Sequence, residues 1–220
     1  TKRGRGLLLG GVPGVPAANV VILGGGVSGT HAAEMAIGSR ANVTVFDRSM
    51  PRLEELDVQF AGAVDTVYAT PAAIDRAVME ADLVIGAVLV PGGAAPKLVS
   101  RELVSRMNRG AVLVDVAIDQ GGCFATSKPT TLADPIFTVN GVVHYCVSNM
   151  PGAVARTSTF ALNNATLPFV IALANKGYRK ALIDDPHLRN GLNVYRGKLT
   201  HEAAARDLRL TYSSAVDVLA

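Results

Sequence analysis

The sequence predicts an α/β fold: a doubly wound parallel sheet, followed by a helical C-terminal segment outside the logic of that sheet. Three observations carry this reading. Short apolar runs rich in β-branched residues alternate with helix-forming stretches of about a dozen residues, the grammar of parallel strands joined by helical crossovers. The first such run, Asn19-Val-Val-Ile-Leu23, enters a glycine-rich turn, Gly24-Gly25-Gly26-Val27-Ser28-Gly29, and that turn opens into a helix. Beyond Pro151 the strand-like runs stop.

Composition narrows the class. The chain has 220 residues, 49% of them hydrophobic, enough for one large domain or one and a fraction; disorder is excluded. The net charge is +3 with scattered basic residues. The tight basic cluster, Lys2, Arg3 and Arg5, reads as a solvated terminus, and no basic patch is interleaved with aromatics, so no nucleic-acid partner is expected. Cys123 and Cys146 lack metal-ligand spacing. They are expected reduced and partly buried, with a disulfide between them as the alternative and no metal site. The longest apolar run, Leu83 to Val90, is far too short to span a bilayer, and no secretory signal opens the chain. A cytoplasmic protein without a membrane partner is expected. The chain starts at Thr1, and its Gly- and Pro-rich opening, residues 7–18, reads as an ordered loop approaching a domain already under way; the chain is therefore expected to be a fragment of something longer.

Each element has its own signal. Strand 20–24, helix 27–38 and strand 43–46 make a βαβ unit that ends at Asp47. Pro51 starts a helix in which Leu53, Leu56 and Phe60 repeat at helical spacing. Residues 64–68 alternate like a strand. Thr70-Pro71 caps helix 71–80. Residues 83–89 form a continuous apolar run, as a parallel strand covered on both faces requires. Helix 100–107, closed by Gly110, leads to strand 111–116, and 142–147 is the last strand. A long apolar helix, 157–177, follows; Pro168 is expected to interrupt it and Gly177 to stop it. Shorter helices are expected near 178–184, 186–191 and 201–208, with no strand.

The first βαβ unit has the chemistry of a dinucleotide site, the Rossmann arrangement. Gly24 permits the tight turn, Gly26 lets a pyrophosphate approach the backbone, and Gly29 lets helix and strand pack closely. The N–H groups of Val27, Ser28 and the helix start face the phosphates. Asp47, at the tip of the second strand, accepts both ribose hydroxyls and repels a 2′-phosphate, which favours NAD over NADP. Arg48 beside it is the one feature that would greet such a phosphate. Arg52 either reaches the adenosine half or is an ordinary solvated helix residue.

Ligands of an open α/β sheet bind beyond the carboxyl ends of its strands. Those ends lead to Val88 and Leu89, to Val116-Ala117-Ile118-Asp119, and to Val147-Ser148-Asn149-Met150, all candidate cofactor contacts. Asp119, followed by Gln-Gly-Gly, is placed to meet a substrate beside a nicotinamide; taken alone, it reads first as an Asx-turn or helix cap. Asp115 reads as buried and hydrogen-bonded or as a neighbour of the cofactor, and His144 as a satisfied core histidine. Cys123 has no base near it and is not read as a nucleophile.

Several segments together resemble the alanine dehydrogenases. They are Gly-Val-Pro13-Gly-Val, Val-Val-Ile-Leu-Gly-Gly-Gly-Val27, Ala81-Asp-Leu-Val-Ile-Gly-Ala-Val-Leu-Val-Pro91-Gly, Ala95-Pro-Lys-Leu-Val99, Val114-Asp-Val-Ala-Ile-Asp119-Gln-Gly-Gly122, Asn149-Met-Pro151 and Asn163-Asn-Ala-Thr-Leu-Pro168. The resemblance runs from about Gly4 to the C-terminus, and the cofactor-binding component of proton-translocating transhydrogenase looks like a more distant relative. The resemblance implies NAD as cofactor, L-alanine and pyruvate as substrates, and a homo-oligomer, a hexamer in the family. It implies that Asp119 is the active-site aspartate, Asp47 the ribose acid and Arg52 its basic neighbour. It divides the chain into an NAD-binding domain, 1–155, and a helical segment, 156–220, belonging to a substrate domain whose first part would precede Thr1. That part would carry the histidine acid/base and the lysine and arginine that hold the substrate carboxylate, so the isolated chain is expected to be inactive. Ala69 and Lys128 depart from the pattern, standing where some relatives carry serine and arginine. The alternatives are a catalytically silent NAD-binding module and a transhydrogenase cofactor subunit.

Overall fold

The computed structural model describes residues 4–88, 90 and 93–219. They form two compact units: residues 4–88 with 95–150, and residues 151–219 with 90, 93 and 94.

In the first unit the elements run β1 (Asn19–Leu23), α1 (Val27–Gly38), β2 (Asn42–Asp47), α2 (Met50–Phe60), β3 (Asp65–Tyr68), α3 (Pro71–Glu80), β4 (Leu83–Gly86), α4 (Arg101–Arg106), β5 (Val112–Asp115), β6 (Ile136–Val139) and β7 (Val142–Tyr145). The seven strands order as β3-β2-β1-β4-β5-β7-β6. Every pair is parallel except β6 with β7. The chain therefore starts mid-sheet and winds out to β3. It crosses back through α3 to lay β4 beside β1, then winds out the other way. The β1/β4 boundary is the switch point that opens a crevice at the carboxyl edge of such a sheet.

Alternation along β1 explains the two covered faces. Val20 and Ile22 pack with Ala33 and Ala36 of α1 and Leu56 of α2. Val21 and Leu23 pack on the opposite face with Ile74 and Val78 of α3 and Leu103 and Val104 of α4. The helices start where the sequence places stop-and-start chemistry. Ser49, Thr70 and Ser100 accept the N–H groups of Arg52, Ala73 and Leu103, and Pro51 and Pro71 occupy first turns.

Strands 83–89, 111–116 and 142–147 of the sequence reading end earlier, at Gly86, Asp115 and Tyr145, because apolar character continues into the loops after the ladder has stopped. The antiparallel strand β6 was absent from that reading. It exists because Asn140 and Gly141, at φ 52° and 83°, make a two-residue turn whose twist suits a hairpin.

The second unit contains α5 (Ala155–Lys176), α6 (Tyr178–Asp184), α7 (Pro186–Asn190), β8 (Val194–Tyr195), β9 (Lys198–Leu199), α8 (Glu202–Leu208) and α9 (Ala215–Leu219). The expected break at Pro168 does not occur: α5 runs through it for 22 residues, none of them buried. An interior proline withdraws one N–H and crowds the carbonyl four residues back; on an exposed helix that carbonyl is free to tilt toward water. The strands β8 and β9 also correct the all-helical expectation. Arg196 and Gly197, at φ 48° and 81°, form a tight hairpin turn, but two-residue strands are too short to leave an alternating pattern. His201 caps α8 by accepting the Ala204 N–H. Among the described residues, no helix is long and apolar enough to cross a membrane.

Candidate cofactor site

Register places the site. Leu23 lies opposite Phe46 on one side and Gly86 on the other, and Gly86 lies opposite Asp115. Val114 pairs with Tyr145. The carboxyl ends of β2, β1, β4, β5 and β7 are thus level, and the segments after them emerge along one edge. Every cofactor residue expected from the sequence falls on those segments or on the first turns of α1 and α2, save Leu89, which lies outside the described residues.

The glycine turn divides into positions the fold demands and one it does not. A Cβ on Gly29 would collide with the Gly24 carbonyl, so close helix–strand packing requires glycine there. A Cβ on Gly26 would meet nothing within 4 Å. Gly26 is exposed, as are Val27 and Ser28, and α1 begins without a side-chain cap. The first N–H groups of a helix have no intrahelical partner. Uncapped donors beside open space fit a diphosphate.

The acid and the basic neighbour grip this turn. Asp47 Oδ2 accepts the Gly25 N–H at 2.8 Å and Oδ1 accepts the Ser49 N–H at 2.9 Å. Arg52 donates from Nε to the Gly25 carbonyl at 2.7 Å and from Nη2 to the Thr30 hydroxyl at 2.7 Å. Thr30 in turn donates to the Gly26 carbonyl at 2.8 Å. Gly25 is therefore held through both its N–H and its carbonyl, and the solvated-helix alternative for Arg52 does not describe it. Sequence reasoning missed Thr30, a lone hydroxyl in a helix first turn, for want of any signal.

At the β5 end the chain tightens into a 3-10 turn, Val116–Gln120. Ala117 and Ile118 are buried within it, so they present backbone to the edge, whereas Val116 and Asp119 are exposed. The Asp119 carboxylate takes no hydrogen bond from any described residue, so it caps nothing. Asp115 is buried instead. It accepts the N–H groups of Cys123 at 3.0 Å and Phe124 at 3.4 Å, and the Ser127 hydroxyl. Burial, then the Asp115 charge, pushes the Cys123 thiol far up, so no nucleophilic thiolate forms. Both cysteines are free and buried.

At the β7 end Val147 is buried, Ser148 and Asn149 are exposed, and Asn149 has φ 58°. His144 is a core residue. Its Nδ1 donates to the Val142 carbonyl at 3.0 Å, which leaves Nε2 to accept the Thr126 hydroxyl at 2.7 Å. Burial lowers its pKa. Among the described residues no three His, Cys, Asp or Glu side chains are grouped to hold a metal.

Comparison with known proteins places the chain. The family described as "Alanine dehydrogenase/PNT, C-terminal domain" matches residues 1–202. The chain belongs to that family. It is 62% identical, over 98% of its length, to an alanine dehydrogenase of Halomonas elongata, and 53% identical, over 99%, to one of Mycolicibacterium smegmatis. It spans 58% of the length of each of these relatives. A solved L-alanine dehydrogenase superposes with a TM-score of 0.86 at 52% identity, covering 100% of this chain and 58% of its own. A transhydrogenase from Sinorhizobium meliloti follows at TM-score 0.60 and 27% identity, covering 66% of this chain and 42% of its own. The mostly parallel Rossmann sheet is thus the family's fold.

Proposed function

We propose that this chain is the NAD-binding half of an L-alanine dehydrogenase, which converts L-alanine, NAD and water to pyruvate, ammonium, NADH and a proton, reversibly. The observation that carries the reading is the 62% identity over 98% of the chain to an alanine dehydrogenase. The site's geometry supports it. The open space at Gly26 and the uncapped start of α1 suit the diphosphate. Asp47, pinned through both oxygens, keeps a negative charge at the tip of β2 and has lone pairs left for two ribose hydroxyls; a 2′-phosphate meets that charge and is repelled. Arg52 holds the turn in shape. Val88, the 116–119 segment and the 147–150 segment line the rest of the cofactor.

NAD supplies the hydride acceptor when bound. What the chain adds there is Asp119, at the same sheet edge, whose carboxylate takes no hydrogen bond from any described residue. It stabilises positive charge on the reacting nitrogen, or orients water and ammonium. One carboxylate does not also bind the substrate carboxylate and shuttle protons. On this reading those groups belong to the part of the relatives that the chain does not span. Residues 1–155 then form the nucleotide-binding domain, 156–220 a helical part of the substrate domain, and the protein works as a cytoplasmic homo-oligomer, hexameric by family resemblance.

Calorimetric titration of the chain with NADH and NADPH tests the cofactor assignment. NADH is expected to bind and NADPH to bind far more weakly; no heat with either ends it. Alanine-dependent NADH formation is expected only when the chain is joined to the region that precedes it in the relatives.

A further inference from the structure

Lys97 stands on the segment Ala95–Val99, which runs against the turn that follows Asp119. Ala95 N–H bonds the Gln120 carbonyl at 3.0 Å, Leu98 N–H the Cys123 carbonyl at 2.7 Å, and Ala125 N–H the Val99 carbonyl at 2.8 Å. The residue is exposed, yet its ammonium turns back onto the protein. Nζ donates to the carbonyl oxygens of Gly121 at 2.5 Å, Gly122 at 2.7 Å and Phe124 at 3.4 Å. An ammonium has three donors and no acceptor, so this arrangement uses its full capacity. Three carbonyl dipoles converging on one point repel each other unless a cation sits between them; the bonds to Gly121 and Gly122 are the short, charge-assisted kind, and the one to Phe124 is longer.

The carbonyls converge because of the turn's backbone. Gly121 and Gly122 take φ of 86° and 75° in succession, and their N–H groups close the 3-10 turn onto the carbonyls of Ile118 and Ala117, at 2.9 and 3.0 Å. Asp115 already ties the far end of this loop from inside, through Cys123 and Phe124. Lys97 is an external clasp on a loop that is closed without it, at a surface where one cation adds little to global stability. What it fixes is the orientation of the 116–122 turn, and that turn carries Asp119.

We propose that Lys97 is a positioning residue: by binding the carbonyls of Gly121, Gly122 and Phe124, its ammonium holds the turn that presents Asp119 and the 116–119 backbone to the nicotinamide half of the dinucleotide. This rests on the NAD-binding reading above and deepens it. It separates the two halves of the ligand. The adenosine half is held by α1 and Asp47, on the other side of β1, and is untouched by Lys97.

The test compares the chain with its Lys97→Met variant by calorimetry with NADH and with ADP-ribose, which lacks the nicotinamide, and by hydrogen–deuterium exchange over 116–124. Removing charge-assisted bonds is expected to weaken NADH about tenfold and to speed exchange of the 116–124 amides by a similar factor. ADP-ribose affinity and the melting temperature are expected to stay at the unsubstituted values. NADH affinity unchanged in the variant overturns the proposal. Equal weakening of both ligands also overturns it, because that marks a disturbance of the whole domain. If the unsubstituted chain binds neither ligand, the proposed function fails, and the exchange arm still decides whether Lys97 holds the turn: unchanged exchange overturns that too.

Discussion

Asp47 and Arg52 hold the two sides of one residue: the carboxylate takes the Gly25 N–H at 2.8 Å, and the guanidinium binds the Gly25 carbonyl at 2.7 Å, so both peptide units that meet at Gly25 are fixed. Two residues on a neighbouring strand and helix thereby set the plane of the phosphate-binding turn before any ligand arrives. Fixing donors in advance removes ordering entropy from the binding step.

Replacing Asp47 with alanine therefore removes a ribose acceptor and one of the two clamps. Hydrogen bonds to a charged group contribute about 1.5–3 kcal/mol each, so NADH affinity is expected to fall at least tenfold by calorimetry. Affinity equal to the unsubstituted chain removes Asp47 from the site.

Gly26 and Gly29, which flank Val27 and Ser28 at the start of α1, separate folding from binding. Gly29→Ala drives a methyl group into the Gly24 carbonyl and should lower the urea midpoint strongly. Gly26→Ala meets no protein atom within 4 Å; at a helix N-cap it is expected to cost at most about 1 kcal/mol of stability. Yet it should weaken NADH binding at least tenfold, because the added carbon fills the space proposed for the diphosphate. Equal NADH affinity in Gly26→Ala would show that this space holds no ligand.

His144 makes stability depend on pH. Burial lowers its folded pKa below the ordinary value near 6.5. The unfolded chain then binds the proton more readily, so stability is full above about pH 6.5 and declines as pH falls from there to the lowered folded value. Urea midpoints measured at pH 7.5 and 5.5 should differ more for the native chain than for His144→Gln. The same drop in both assigns the acid sensitivity elsewhere.

Burial raises the pKa of both cysteines. Thiol-modifying reagent at pH 8 should leave Cys123 and Cys146 unlabelled in the folded chain and label both in urea. Prompt labelling of either in buffer contradicts the buried core around Asp115.

Most of the sheet was legible because its central parallel strands are apolar on both faces and the helices Met50–Phe60, Pro71–Glu80 and Arg101–Arg106 announce themselves with caps. Helix Pro71–Glu80 coincides with its sequence reading for that reason. What escaped had no periodicity to show. The two-residue strands of the β8–β9 hairpin are too short for a pattern, and β6 is an edge strand with no buried residue, marked only by the Asn140-Gly141 pair that follows it. At the candidate site the glycine turn and Asp47 stood out because their spacing is dictated by a ligand's shape. Thr30 and Lys97 did not, since a hydroxyl and a lysine acquire meaning only from what they touch.

By itself, then, the order of residues determined the alternation of strands and helices, the glycine turn with its distant acid, and the change of grammar past Pro151. These follow from side-chain period and backbone freedom, which are local. Only the tertiary structure decided that Arg52 grips the Gly25 carbonyl, that Asp115 is buried under four donors while Asp119 stands open, and that Lys97 closes on three carbonyls. Such contacts join residues far apart in sequence. They exist because the sheet's register brings the strand ends level, a condition no local window of the chain contains.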